Sequence, residues 1–135
     1  MGVAGLAAWE IFARVIAPHW IGFALDPTGL IEAALGATGV LAHAIHIITG
    51  LMFFPLGYLF VARPLANRLV PALPWPLLGL GYGIALWVFA MYGMAHLLAG
   101  MPPFLDFEPI AWASLVGHLG LALALAAVAA FLSEK

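Results

Sequence analysis

The chain contains no cysteine, which excludes disulfides, thiolate-held zinc and iron–sulfur clusters. Charge is nearly as scarce. Only 7% of the 135 residues are Asp, Glu, Lys or Arg, against about 25% in soluble domains. Residues 33–62, 69–105 and 109–133 hold no formal charge. A soluble enzyme, a nucleic-acid-binding protein and a disordered chain are excluded, because each needs a charged surface to solvate it or to meet its partner. A basic leader with a small-residue cleavage site is also missing, so no removable signal peptide is expected. Position 6 is Leu rather than Ser or Thr, so Gly2 is not expected to be myristoylated.

What is present is apolar: 66% of the residues are hydrophobic. A membrane-spanning helix needs roughly 20 such residues, and charged or Pro-rich breaks divide the chain into four pieces of that size. They cover about residues 2–25, 39–62, 75–100 and 110–132. The first stops at Asp26-Pro27-Thr28-Gly29, and the second before Arg63-Pro64. Residues 30–36 read as a short helix lying on the membrane surface. No period-2 alternation suited to a barrel occurs. The expected fold is all-α, a polytopic membrane protein whose single domain, 1–135, is a four-transmembrane-helix bundle.

The few charges orient it. The connection between the second and third spans carries Arg63 and Arg68 and no acid, while the other two carry Asp26, Glu32, Asp106 and Glu108 and no base. Positive loops stay in the cytoplasm, so both termini are expected there, with Lys135 in agreement. Gly79, Gly83, Gly117, Gly120 and an alanine ladder from Ala122 to Ala130 supply the small residues that let helix backbones approach in lipid.

The five histidines carry most of the chemical information. At 1.5 Å per residue, His43 lies about 6 Å, His46 about 10 Å, His96 about 6 Å, His118 about 12 Å and His19 about 9 Å from the outer face. All fall in the outer half. Two histidines on different helices at one depth are the geometry of a bis-histidine haem b, and His46 and His118 match best. His43 and His46, three apart on one helix face, together with His96 and Met94, form an imidazole and thioether set suited to copper or another metal ion. A histidine near a membrane face also suits proton or quinone chemistry. The plainer account is that each imidazole satisfies itself at the interface or on a neighbouring carbonyl.

Two further features bear on the site. Glu10 and Arg14 sit four apart inside the first span, where unpaired charge is costly, so a buried mutual ion pair is expected. Pro102-Pro103-Phe104 forms a rigid outer loop that is expected to carry Asp106 and Glu108 near the histidines.

Ala42-His43, Gly50, Gly57-Tyr58, Gly79, Gly81-Tyr82-Gly83, Trp87 and Gly117-His118-Leu119-Gly120 form a pattern over nearly the whole chain. In it the chain resembles small four-helix bacterial inner-membrane proteins of the YagU-like kind. The resemblance implies a bacterial inner-membrane location and little about chemistry, and His46 and His96 lie outside its pattern. The haem-bearing anchors of succinate dehydrogenase are a poorer comparison. The stretch from Ala42 to Gly50 lacks the Ser and Arg that shape their quinone site.

The expected function is a non-catalytic membrane accessory subunit of a respiratory or photosynthetic electron-transfer assembly, holding haem b or a metal through the outer histidines. The alternatives are a copper or other metal-ion handling protein and a structural or transport-associated bundle with no cofactor. The expected partners are the lipid bilayer and a membrane protein or second copy of the chain, not nucleic acid.

Overall fold

In a computed structural model that describes residues 1–133, all the regular structure is helical. Helix α1 covers residues 2–21, α2 Pro27–Leu35, α3 Gly39–Leu69, α4 Trp75–Leu98 and α5 Pro109–Ser133. Helices α3, α4 and α5 are each long and apolar enough to cross a membrane. The chain is therefore a multi-pass membrane protein. Helix α1 is not among the three, since Glu10, Arg14, Pro18 and His19 interrupt its apolar run.

Helix α5 is the centre of the bundle. It packs most extensively on α4 and next on α1, and most of its inward positions are small: Ala111, Ala113, Ser114, Gly117, Ala122, Ala126 and Ala129 are buried, beside the larger His118, Leu121 and Leu125. Lipid gives no hydrophobic drive between helices, so close backbone approach matters more here than apolar bulk. Helix α3 closes the bundle. Gly50 meets Leu6 of α1, and Tyr82 of α4 donates its hydroxyl to the Phe54 carbonyl at 2.6 Å.

Three prolines lie inside helices, each accommodated in the same way. Pro18, Pro55 and Pro64 directly follow a residue whose amide reaches back five positions instead of four: Ala17 to the Phe12 carbonyl, Phe54 to Thr49 and Arg63 to Tyr58. The wide turn relieves the clash between the proline ring and the preceding turn. This corrects the second span, expected to stop before Arg63-Pro64; the helix continues to Leu69. At about 46 Å it outruns a hydrocarbon core of about 30 Å.

The first helix is shorter than the span expected there. Pro18 has no N–H to give the next carbonyl in the wide register, that of Ala13. Leu25 donates to it instead, at 3.1 Å. The chain must turn back to make that bond, so α1 ends at Ile21 and Gly22 takes the left-handed conformation at φ 85°.

Candidate functional site

A cavity of about 640 Å³ occupies the half of the bundle nearer the α4–α5 connection, within the roughly 300–1,000 Å³ of small-molecule and cofactor sites. Its walls come from all five helices: Trp9 of α1, Ile31 of α2, His46 and Phe53 of α3, Met91 and Met94 of α4, and Ser114 and His118 of α5, with Met101 and Leu105 from the α4–α5 connection. Apolar side chains dominate, and the polar groups are few and convergent.

His118 is the best defined of these groups. It is buried at 6% exposure, and its Nδ1 lies 2.7 Å from the Ser114 carbonyl oxygen four residues earlier. A carbonyl only accepts, so Nδ1 carries the hydrogen and Nε2 keeps its lone pair. Nε2 has no partner among the described residues. The Trp9 indole lies against the imidazole with ring centroids 4.9 Å apart, and fixes its plane. Trp9 Nε1 is itself buried with no hydrogen-bond partner.

His46 lines the same cavity, so the pair matched by depth in the sequence meets around one space. Its state differs, however. Nε2 lies 3.1 Å from Glu10 Oε1, and a carboxylate only accepts, so that nitrogen carries a hydrogen toward α1. Glu10 also accepts from Arg14 Nε. The expected ion pair thus forms, but it is not buried: the Arg14 side chain is 68% exposed and Glu10 33%. Glu10 turns inward to His46, which leaves Arg14 on the outside of the bundle.

Comparison with family models, curated proteins and solved structures returned no match to this chain. The site is therefore read from its own geometry.

The remaining candidates are dispersed. His43 and His19 are exposed. His96 gives Nδ1–H to the Met101 carbonyl at 2.9 Å and lies beside the Tyr92 ring, the self-satisfied arrangement. Met94 lines the cavity without His43 or His96 beside it there. Among the described residues no group of three or more His, Asp or Glu converges to hold a metal ion, and Asp106 and Glu108 are exposed.

The α4–α5 connection that carries these acids adopts an uncommon form. Phe104, Leu105, Asp106 and Phe107 all have φ between 48° and 56°, a left-handed turn that disfavours each non-glycine residue by roughly 1–2 kcal/mol. Aromatic packing offsets it: Phe104 lies 5.0 Å from Trp87 and 5.2 Å from Phe107, which in turn lies 5.6 Å from Trp112. The turn directs its acids to the surface while Leu105 closes the cavity.

Helix α2 covers the cavity rather than standing alone on the membrane surface. It begins at Pro27 because Asp26 caps it, accepting from the Thr28 amide at 3.0 Å and the Thr28 hydroxyl at 2.6 Å. Thr28 is buried, and these bonds hold the Asp26 carboxyl below its usual range against partial burial. Replacing Asp26 with Ala is expected to cost this helix about 1 kcal/mol, seen as faster amide exchange across 27–35. Because the folded pKa is depressed, the cap is complete at neutral pH. It is lost as pH falls below about 4 through the lowered value, so an exchange rate that ignores pH there would remove this account.

Several of these contributors escaped sequence reading. Ser114 acts through its carbonyl, which any residue would supply. Nothing in the sequence sets Trp9 apart from the other aromatics. The reach of Glu10 to His46 joins positions 36 apart. The single local signal was the one-turn spacing of Ser114 and His118.

Proposed function

We propose that this chain is a membrane-embedded accessory subunit of an electron-transfer assembly that holds haem b in the outer-half cavity, with His118 as an axial ligand and His46 as its counterpart. The observation that carries the reading is the Nδ1–H bond from His118 to the Ser114 carbonyl. It fixes the tautomer whose Nε2 can coordinate iron, and an anchored second nitrogen is the usual support of a ligating imidazole. The apolar walls and the volume suit a flat, lipid-soluble group, which when bound supplies one-electron transfer. His46 coordinates through Nε2 only by releasing Glu10, so the two histidines play unequal roles.

The test is a reduced-minus-oxidised absorption spectrum of the detergent-purified chain, with metal analysis on the same sample. A low-spin haem b band supports the reading. Copper without haem would move the assignment to a metal-handling protein, and neither, at good yield and without chelators, to a structural subunit.

The topology follows the same reading. Helix α1 crosses as a fourth span, with residues 63–74 and both termini on the cytoplasmic side of a bacterial inner membrane. Lys135, which entered the charge argument, lies outside the described residues. The exposed Arg14 guanidinium supports a headgroup or partner contact at that level, because free charge in hydrocarbon is costly. A reporter fused to the C terminus should be active only in the cytoplasm; periplasmic activity would reverse the orientation.

A further inference from the structure

At the end of the bundle opposite the large cavity, a second cavity of about 170 Å³ lies between the end of α3, the start of α4 and the end of α5. Its wall includes Tyr58, Arg63, Asn67 and Trp75, so hydrogen-bond donors dominate its polar groups. Arg63 uses Nη2 to reach the Ser133 hydroxyl at 3.1 Å, and that hydroxyl donates in turn to the Ala129 carbonyl at 2.8 Å. The guanidinium is thereby positioned by a neutral group. Among the described residues no carboxylate pairs with it.

Tyr58 supplies a second, independent observation. It is 1% exposed and lines the same cavity, yet its hydroxyl has no hydrogen-bond partner among the described residues. Its phenol is a donor on the cavity wall that Arg63 shares.

Several donors around a guanidinium recognise an anion, and arginine matches phosphate oxygens in pairs. The position selects the source. Three helices able to cross a membrane end here, with Trp75 at the boundary where indoles anchor in the headgroup layer. Basic cavities between helix ends hold phospholipid headgroups, and Arg68 adds charge on the same loop, which carries no acid.

We propose that Arg63, Tyr58 and Asn67 form a binding site for the phosphate of an anionic phospholipid, seated between α3, α4 and α5. The small volume admits one headgroup phosphate and leaves the acyl chains outside along the apolar helices. The site is separate from the haem reading and stands or falls without it.

The test is native mass spectrometry of the delipidated full chain titrated with phosphatidylglycerol or phosphatidylcholine. One phosphatidylglycerol should be retained in preference to phosphatidylcholine. R63Q should weaken that binding about tenfold or more, and Y58F, which keeps the ring and loses the hydroxyl, roughly fivefold. Far-UV circular dichroism should be unchanged in Y58F, which carries the test should R63Q fold poorly. Millimolar inorganic phosphate that displaces the lipid would assign the site to phosphate from either source; failure to displace it assigns the lipid. Equal retention of the two lipids, or wild-type binding by Y58F together with R63Q, overturns the proposal.

Discussion

Replacing His118 with Ala is expected to abolish haem binding while leaving the helices formed. The imidazole is buried, its Nδ1–H is committed to the Ser114 carbonyl, and Trp9 holds its plane, so the substitution removes the one imidazole already fixed for coordination through Nε2. Losing an outer partner of a ligand costs roughly 10–100-fold in affinity, and losing the ligand itself costs more. Three companions make the result specific. S114A keeps the backbone carbonyl and should keep the spectrum, even though the Ser114 hydroxyl lies 3.3 Å from Nδ1. H46A should retain the haem but convert it from low to high spin, because its imidazole is the one that must leave Glu10. E10Q should retain both haem and low spin, since a neutral amide holds His46 less firmly than a carboxylate does. Wild-type haem content in H118A would end the assignment.

That expectation rests on a histidine pair visible in the sequence, and the reason is geometric. Depth in a membrane is fixed by counting residues along a helix, so His46 and His118 could be matched before their side chains were placed. Facing cannot be counted in the same way here. Wide turns at 12–16, 49–53, 58–62 and 89–98 rotate everything beyond them relative to an ordinary helix. His43 and His46 both precede the wide turn at 49–53, so they differ only by the roughly 60° between positions three apart on an ordinary helix. That leaves His43 exposed while His46 lines the cavity, and the expected metal set of His43, His46, His96 and Met94 does not assemble. The prolines announced the first three wide turns, but read as breaks they cut α3 short at Arg63-Pro64. The long apolar runs identified three spanning helices directly, since length and hydropathy are additive along a sequence. The partners of Glu10 were half legible: the four-residue spacing found Arg14, whereas His46 depends on how α1 and α3 pack. Apolarity does not separate the two sides of a lipid-facing helix, and that is why the cavity, unlike the spans, left no periodic signal.

The packing of α4 on α5 gives the second large expected effect, and it bears on the same site. A Cβ built at Gly83 would stand 2.9 Å from the His118 carbonyl oxygen, 3.0 Å from the Leu119 Cα and 3.1 Å from the Ala122 Cβ. The two nearest atoms are backbone, which cannot swing aside as a flexible side chain does, so the helices must separate. G83A is expected to destabilise the bundle by roughly 1–3 kcal/mol, and G83V by more, as overpacking of a fitted contact does. At Gly120, on the facing helix, an added Cβ would meet nothing within 4 Å. G120A should therefore be neutral or stabilising by up to about 1 kcal/mol, the ordinary gain from removing glycine from a helix interior. Reversible unfolding in mixed micelles measures both, and equal effects at the two positions would contradict the packing. The spectrum supplies a second readout: the residue that G83A pushes is the axial candidate itself. Separation of α4 from α5 moves the His118 backbone, and with it the Ser114 bond that sets the tautomer. A G83A protein that folds in milder detergent should bind haem more weakly than G120A, by a margin the unfolding free energy alone does not account for.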